Sequence, residues 1–378
     1  MNSKYLVKLT PHTPFFFGGE NSFGGEDGSQ KNYLVKSNYF PQQTGILGLV
    51  RHQLLIQNNL LRQGNIRKED KTVASRVIGP TSFRVSEETL QFGAIMNISS
   101  VFIMHRENSY FPANKEYQFD EGELQLRNFT SRYDLPLLEN YDPKSGLPDL
   151  LVNKSLTDFK QYDYDIDDAE SGIFIEQQQT GIHKNYYGVT DLNAYYLQTR
   201  YHLKKDWSFA FLLELRSEVA ELKDKKIVFE SQDHVVFGGE QSAFKMEVIA
   251  GYEKSLEELL PDYPAHENFE KIVLVSDTYL ANKNVLDPAV SAISETANFR
   301  FLKTEIADTN NYAALSKPGR NNRSNGKLYK SARYHLLKKG SVIYTKNSTD
   351  SDAIIAGLKN DRFELIGYNQ LKKIPIKS

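Results

Sequence analysis

The sequence predicts an α+β fold in which strands dominate. The chain has 378 residues, which is enough for a sizeable core and for two domains. Tyrosine and phenylalanine, 22 of each, suit strand-rich packing. The apparent order over residues 1–250 is strand, helix, strand, strand, short helix, strand. This βαββαβ order is that of a ferredoxin-like or RNA-recognition-type domain.

The first strand and the first helix open this pattern. Residues Lys4–Leu9 are typical of a strand, and a Phe-rich, glycine-containing loop follows at Pro14–Gly19. Thr44 stands where a helix N-cap is expected, after Pro41. An apolar face then continues over Ile46, Leu47, Val50, Leu54 and Leu61. The stretch therefore predicts a core helix that begins near residue 44.

The start of this helix is also a candidate anion site. Gly45 and Gly48 allow another backbone to come close. Free N–H groups and the positive end of the helix dipole favour a phosphate there. The alternative is an ordinary capped helix that binds nothing.

The middle of the chain is predicted to be less regular. Residues 105–170 show no clear periodicity and are interpreted as an irregular insertion with few regular elements. Asn193–Leu203 and Trp207–Leu215 are predicted as strands joined by a short hairpin connection. Ser217–Glu230 is predicted to be partly helical, and a glycine loop at Gly238–Ser242 precedes a last strand at Phe244–Ile249.

Residues 251–378 are predicted to form a smaller, strand-rich domain. Three apolar runs are typical of strands, at Ile272–Ser276, Asn298–Phe301 and Gly340–Tyr344. The domain boundaries are therefore expected at 1–250 and 251–378.

Composition excludes several classes of protein. The absence of cysteine rules out a disulfide scaffold and a cysteine nucleophile, and it fits a cytoplasmic location. We find no signal peptide and no run of about 18 apolar residues, so no membrane contact is expected. The acidic run at 163–170 lacks the glycine and terminal glutamate of a calcium loop, so no metal site is predicted. No cofactor is predicted either.

The strongest local signal is a basic stretch. Residues 309–349 contain nine lysines and arginines and no aspartate or glutamate. The net charge of the whole chain is only −2, so this positive charge is local. Tyrosines are interleaved with these cations, as in surfaces that bind phosphates and stack bases. The alternatives are a solvated loop or a face for an acidic protein partner.

No catalytic motif is evident. The chain lacks a P-loop, a His-Glu-x-x-His pair and a Gly-x-Ser-x-Gly elbow. A lone histidine beside a lysine, such as His183 with Lys184, can serve a metal-independent ribonuclease. A surface histidine near a phosphate is the simpler interpretation.

Six motifs follow one another along the chain, namely Pro14–Gly19, Phe40–Arg51, Thr180-Gly181-Ile182, Phe237–Glu240, Lys339–Tyr344 and Ile366–Gln370. Taken together they resemble the RAMP superfamily of CRISPR-associated proteins, and most closely the third Cmr subunit of type III-B effector complexes.

This resemblance implies two ferredoxin-like domains, the first interrupted by insertions. It implies a non-catalytic subunit that holds the 5′ handle of the crRNA beside the large polymerase/cyclase (Cas10-type) subunit and the backbone RAMP subunit. The candidate RNA-binding residues are Thr44, Gly45, Arg51, His183, Lys184, Gly238, Gly239, Arg320, Arg323, Lys327 and Lys330. Two arginines often follow the family's glycine loop, but Gln241 and Ser242 stand there in this chain.

Two other functions remain open from sequence. The first is a RAMP endoribonuclease that processes precursor crRNA with His183 as general base. The second is a protein-interaction subunit whose basic face meets an acidic partner.

Overall fold

A computed structural model gives the fold of most of the chain. It describes residues 2–19, 21–24, 32–80, 82–85, 92–120, 123–127, 129–132, 135–138, 149–163, 172–184, 190–222, 225–304 and 328–377. These residues form a mixed α/β structure with many strands and few helices. No helix in the described part of the chain is long and apolar enough to cross a membrane.

The elements have the following bounds. The α-helices are α1 Gln43–Gln57, α2 Lys71–Ile78, α3 Leu256–Leu259, α4 Ser348–Leu358 and α5 Asp361–Glu364, and Lys68–Asp70 and Lys283–Leu286 are 3₁₀ turns. The strands are β1 Asn2–Pro11, β2 Asn21–Gly24, β3 Asn32–Lys36, β4 Ile95–Ile98, β5 Phe102–His105, β6 Asn108–Pro112, β7 Tyr117–Asp120, β8 Glu123–Leu126, β9 Phe129–Arg132, β10 Leu135–Leu138, β11 Leu150–Asn153, β12 Phe159–Gln161, β13 Phe174–Lys184, β14 Thr190–Leu203, β15 Trp207–Arg216, β16 Gln232–Val236, β17 Ala243–Ala250, β18 Glu270–Leu274, β19 Thr278–Tyr279, β20 Ser291–Ile293, β21 Thr296–Phe299, β22 Leu302–Thr304, β23 Leu328–Lys330, β24 Tyr334–Leu337, β25 Val342–Thr345 and β26 Leu371–Ile374.

The largest sheet is built around β1. Its strand order is β12-β11-β6-β5-β15-β1-β17-β16, and β4 also pairs with β15. Val7 and Leu9 pack into the main core with α1, whereas Leu6 packs with α3 on the other face. The alternation of side chains along a strand sends neighbouring residues to opposite faces. Both faces of β1 are therefore covered.

The C-terminal part contains a second sheet, in the order β20-β25-β18-β26, with all neighbouring strands antiparallel. Helix α4 follows β25 and packs against this sheet through Ile354 and Leu358. A three-stranded sheet, β19-β24-β21, lies beside it. Its Phe299 and Leu336 belong to the same core cluster as Ile46 of α1, so the main core extends across residue 250.

A four-stranded sheet, β13-β14-β3-β2, contains a long ribbon formed by β13 and β14. Here the hairpin predicted between Asn193–Leu203 and Trp207–Leu215 is wrong. Strand β14 pairs with β13 and β3, whereas β15 pairs with β1, β4 and β5. The polar connection at Lys204–Asp206 therefore carries the chain from one sheet to another.

Three further predictions are corrected by the structure. Residues 105–170 are not largely irregular, because β6, β11 and β12 join the large sheet and β7–β8 and β9–β10 form two small antiparallel pairs. These strands have only three to five residues. Such short runs are too brief for their period of two to stand out in the sequence.

The other two errors concern helices. The described residues of Ser217–Glu230 form turns and extended chain without a helix. Helix α1 ends at Gln57 rather than at Leu61, because Asn59 adopts a left-handed backbone conformation with φ of 58°. The sequence analysis also missed α2, whose buried Ala74, Val77 and Ile78 anchor it beside α1.

A buried ion pair joins the middle of the chain to the C-terminal sheet. Lys271 Nζ lies 2.6 Å from Glu116 Oε1, and each side chain is only 2% exposed. The Asn114 side-chain amide donates to Glu116 Oε1 at 2.6 Å, and the Tyr344 hydroxyl donates to Glu116 Oε2 at 2.5 Å. These hydrogen bonds offset the cost of burying both charges.

We expect Glu116→Gln to destabilise the protein by about 3 kcal/mol, because Lys271 would keep a buried charge without a counter-ion. Urea unfolding followed by circular dichroism measures the change. The matched control is Asp352→Asn, which removes an exposed partner of Lys373 and should cost less than about 1 kcal/mol. Equal effects of the two substitutions would contradict a structural role for the buried pair.

Candidate nucleic-acid interface

The glycine loop after β16 is held directly against the first loop of the chain. The Gly239 N–H donates to the Phe16 carbonyl at 2.7 Å. The Ser242 hydroxyl accepts from the Phe16 N–H at 3.1 Å and donates to the Gly239 carbonyl at 2.7 Å. Gly238 has a φ of +89°, and a Cβ there would lie 2.7 Å from the Phe16 carbonyl oxygen. Glycine is therefore required by both conformation and space.

Helix α1 begins beside this loop. The ring of Phe237 is 3.5 Å from the position that a Cβ on Gly45 would occupy, and Phe17 packs against Phe237 at 5.3 Å between ring centroids. Gly45 and Gly238 are exposed, and nothing lies within 4 Å of a Cβ placed on Gly18. We call Phe17, Gly18, Gly45, Phe237 and Gly238 the glycine surface. It unites three of the sequence motifs.

The first turn of α1 is more closed than the sequence suggests. The N-cap is Gln42 rather than Thr44, and no side chain caps the helix. The Gly45 N–H donates to the Gln42 carbonyl at 2.8 Å. The buried Tyr368 hydroxyl faces the N–H groups of Gln43 and Thr44 without the geometry of a full hydrogen bond. What this turn offers to a ligand is the bare surface of Gly45.

Two cations flank the glycine surface. Lys36 is exposed and lies directly after Val35 at the end of β3, and its amine is 5.8 Å from the Tyr201 ring centroid. Burial opposes its charge, but the Tyr201 hydroxyl and nearby carboxylates raise the pKa of Lys36 overall. Arg200 lies next to Tyr201 and reaches Glu240 of the glycine loop at 3.7 Å.

Lys36 is tied to the first loop through the backbone around it. The Phe17 N–H donates to the Ser37 hydroxyl at 2.9 Å, and the Asn38 N–H donates to the Gly18 carbonyl at 2.7 Å. Sequence analysis had no signal for Lys36 or Arg200, because each is a single cation within a strand. Only the pairing of distant segments brings them to this surface.

Arg51 has a structural role in place of the predicted RNA contact. It is buried, with 8% of its surface exposed. Its Nε donates to the Ile78 carbonyl at 2.7 Å, and its Nη2 donates to the Gly79 carbonyl at 3.3 Å. These carbonyls end α2, so the guanidinium satisfies acceptors that the helix leaves free. Arg51 lies in the middle of α1, on the buried face of the helix.

His183 and Lys184 lie near the end of the β13–β14 ribbon. The strand register shifts between Ile182 and Lys184, so the ladder is irregular at His183. Glu176, the partner of Tyr201, is seven residues before His183. At about 3.3 Å per residue, His183 lies about 23 Å along the strand from the Glu176–Tyr201 pair. The ribbon therefore places these two candidates far from Tyr201.

Three of the four candidates from the basic stretch are not in the described part of the chain. Arg320, Arg323 and Lys327 lie outside the described residues. Lys330 is the last residue of β23, where it pairs with Leu302 of β22. Their contribution to an interface stays a prediction.

The arrangement suits a polyanion that approaches backbone rather than a small molecule. Bare glycines allow a sugar–phosphate chain to come within contact distance. Two residues of the same loop, Glu240 and Gln241, have left-handed φ of 54° and 55°, which makes the loop a tight turn. The flanking cations supply attraction that depends on salt concentration.

Comparison with known protein families identifies the family of this chain. A model of the CRISPR-associated proteins Cas_Cmr3 matches residues 7–374, which is nearly the whole sequence. The chain belongs to the Cas_Cmr3 family. The match includes every described residue of the glycine surface, and it confirms the resemblance seen in the six motifs.

Solved structures with similar chains come from type III CRISPR complexes. A chain of "Cryo-EM structure of the Type III-B Cmr-beta bound to cognate target RNA" is 17% identical, with a TM-score of 0.47 over 97% of this chain and 96% of that one. A chain of "Crystal structure of Csm3-Csm4 subcomplex in the type III-A CRISPR-Cas interference complex" is 11% identical, with a TM-score of 0.35 over 99% and 100%. No curated protein matches the sequence.

We expect Gly238→Ala to lower stability by about 2–4 kcal/mol, because the new methyl group would meet the Phe16 carbonyl in addition to the strain of a positive φ. Thermal unfolding measures the change. Gly251→Ala is the control for backbone strain alone, since its φ is +69° and nothing lies within 4 Å of the added carbon. A loss no larger than that of the control would mean that the two loops are not in close contact.

Proposed function

We propose that this Cas_Cmr3 family member is a non-catalytic RNA-binding subunit of a type III-B CRISPR effector complex, in which it holds the 5′ handle of the crRNA for antiviral defence. The observation that carries the proposal is the glycine surface. Three separate segments converge there and expose glycine backbone, the Lys36 backbone lies against Gly19, and Arg200 reaches Glu240 of the glycine loop.

Membership of the family supports the setting of this proposal. The assignment to the crRNA handle comes from the resemblance of the six motifs. The chemistry of the surface supports a nucleic acid independently of that resemblance. It offers close backbone approach together with cations, which is the combination that a single RNA strand requires.

The proposed mechanism has two parts. A single-stranded handle has unstacked bases, so its shape can be recognised by close contact along the sugar–phosphate chain. The exposed Gly45 and Gly238 would accept that chain, and the amine of Lys36 would pair with one phosphate. The basic residues Arg320 and Arg323 would add further phosphate contacts. Thr44, Gly239, His183, Lys184, Lys327 and Lys330 remain candidate contacts of the same RNA.

The protein partners follow from the resemblance. We infer that the chain docks the large polymerase/cyclase subunit on one side and the backbone RAMP subunit on the other. An alternative is that the basic stretch binds an acidic protein and not RNA.

Protection of the crRNA handle in the assembled complex distinguishes RNA binding from this alternative.

We also infer that residues 1–250 and 251–378 are two ferredoxin-like domains. Two strand orders support this inference, β17-β1-β15-β4 and β26-β18-β25-β20. When the four strands of each set are numbered by their order in the chain, both sheets have the order 4-1-3-2, which is that of a ferredoxin-like fold. Helices occupy one crossover in each half, α1 with α2 in the first and α4 in the second.

Charge reversal at the glycine surface should weaken RNA binding. We expect Lys36→Glu to lower affinity for repeat-derived RNA about tenfold and to reduce the salt dependence of log Kd by about 0.7, because one phosphate contact is lost. Fluorescence anisotropy at several salt concentrations measures both. Lys359→Glu, an exposed lysine directly after α4, is the control and should change neither. An unchanged salt slope for Lys36→Glu would exclude this surface from the interface.

The absence of catalysis is tested by incubating the full-length protein with labelled repeat RNA in EDTA. We expect intact RNA for the wild type and for His183→Ala. Cleavage that His183→Ala abolishes would instead identify a RAMP endoribonuclease with a histidine general base. Cleavage that survives this substitution would point to a contaminating nuclease or to another residue.

A further inference from the structure

An aromatic stack lies at one end of the large sheet. Trp207 of β15 pairs with His105 of β5, and their rings are stacked at 4.5 Å between centroids, with 8° between the ring planes. Tyr110 packs on Trp207 at 4.9 Å between centroids. Trp207 is only 5% exposed, whereas His105 is partly exposed. His105 is therefore the outermost ring of this stack.

The second face of the His105 ring is open to a ligand. Among the described residues, Trp207 is the only aromatic ring stacked on His105, and the imidazole makes no hydrogen bond. Burial, followed by the nearby Arg106, lowers the pKa of His105, so the ring is neutral at about pH 7.5. A partly exposed ring that is stacked on one face only is a platform on which an RNA base can stack.

Arg106 extends from the turn beside this ring. The turn between β5 and β6 consists of Arg106 and Glu107, because His105 pairs with Asn108. Arg106 has a φ of 53°, a conformation for which such a turn normally selects glycine or asparagine. Its side chain is exposed and forms no ion pair within the described part of the chain. An arginine that is kept against the local backbone preference points to a function of its guanidinium.

Three carboxylates lie close to the stack, and none of them neutralises this arginine. Asp158 is paired with Lys160 at 3.2 Å. Asp206 directly follows two lysines in the chain. Glu107 lies close to Tyr252, which packs with α3 on the opposite face of the sheet. The charge that remains beside the stack is positive and favours a phosphate.

The stack lies on the same face of the large sheet as the glycine surface. Phe209 is two residues from Trp207 on β15, so the two side chains share one face of the strand. The Phe209 ring packs against Phe17 of the glycine surface at 5.4 Å between centroids. The same layer of aromatic rings therefore supports both features.

The stack and the glycine loop also lie at the same end of the sheet. Leu9 of β1 pairs with Phe209, and Pro11 pairs with Phe244, which follows the glycine loop. Strands β15 and β1 separate β5 from β17, so three spacings of about 4.8 Å, about 14 Å in all, lie between the stack and the loop. Even a stacked single strand, at about 3.4 Å per nucleotide, covers this distance in about four nucleotides.

We propose that His105 and Arg106 form a second contact for single-stranded RNA, in which one base stacks on the outer face of the imidazole and the guanidinium pairs with a neighbouring phosphate. The inference rests on the proposed RNA binding and extends it beyond the glycine surface. Because stacking uses only the face of a base, this contact accepts any of the four bases. It adds affinity without sequence selection.

The test measures binding of the full-length protein to repeat-derived RNA and to octauridine by fluorescence anisotropy at several salt concentrations and at about pH 7.5, where the ring is neutral. We expect His105→Ala to weaken binding about fivefold or more without changing the salt slope, because an uncharged stacking ring is lost. His105→Phe keeps a stacking ring and should bind within about twofold of the wild type. Circular dichroism confirms that each variant is folded.

Arg106→Gly separates the RNA contact from folding, because glycine suits the positive φ of this turn. Loss of the guanidinium should weaken binding about fivefold and reduce the salt dependence of log Kd by about 0.7. The matched control is Lys225→Gly, which removes an exposed cation at a φ of 57°. Lys225 follows the last residue of β15, whereas the stack contains its first residue, so the control lies toward the opposite end of the sheet and should change neither value.

The results separate this contact from the glycine surface. Unchanged affinity in both His105→Ala and Arg106→Gly would overturn the inference, and so would an equal loss in His105→Ala and His105→Phe. If Lys36→Glu alone weakens binding, RNA occupies the glycine surface without reaching the stack, and only this inference fails. A wild-type protein that binds neither RNA would overturn this inference and the proposed function together.

Discussion

The position of the first helix depends on one buried amide. Gln43 donates through Nε2 to the Ser99 carbonyl at 3.2 Å and to the Gly367 carbonyl at 3.0 Å. Gly367 has a φ of +90°, and a Cβ there would lie 2.5 Å from the Ser99 carbonyl oxygen. The helix start, the connection between β4 and β5, and the C-terminal segment therefore meet at one point. The buried hydroxyl of Tyr368 faces the first N–H groups of α1 at the same point.

This contact also orients α1 toward the glycine surface. Because the C-terminal segment covers the first N–H groups of α1, the side of the helix that carries Gly45 is left toward Phe237 and the glycine loop. The loop in turn is held by Phe16, so helix and loop form one continuous glycine surface. A surface that hydrogen bonds assemble from three segments is preorganised, and preorganisation reduces the entropy that any ligand loses on binding.

The same type of side chain has different roles in different surroundings. Arg51 is buried and donates to the carbonyls that end α2. Lys36 stays exposed, and neighbouring groups keep it charged. Lys339 lies over the Phe40 ring, and burial lowers its pKa. Charge runs in the sequence do not distinguish these cases, because desolvation depends on the neighbours that the fold supplies.

The sequence alone indicated the family through the resemblance of its six motifs. It also predicted strands β1, β15 and β18 and helix α1, because their apolar runs are long enough to recognise. The sequence also indicated the helix start at Gly45, where another backbone can come close. Tertiary structure decided the rest. The short strands between residues 105 and 170 exist only through pairing, and the chain leaves one sheet for another at Lys204–Asp206. Gln42 is the N-cap, and Lys36 and Arg200 flank the glycine surface, because long-range contacts rather than local propensity set their positions.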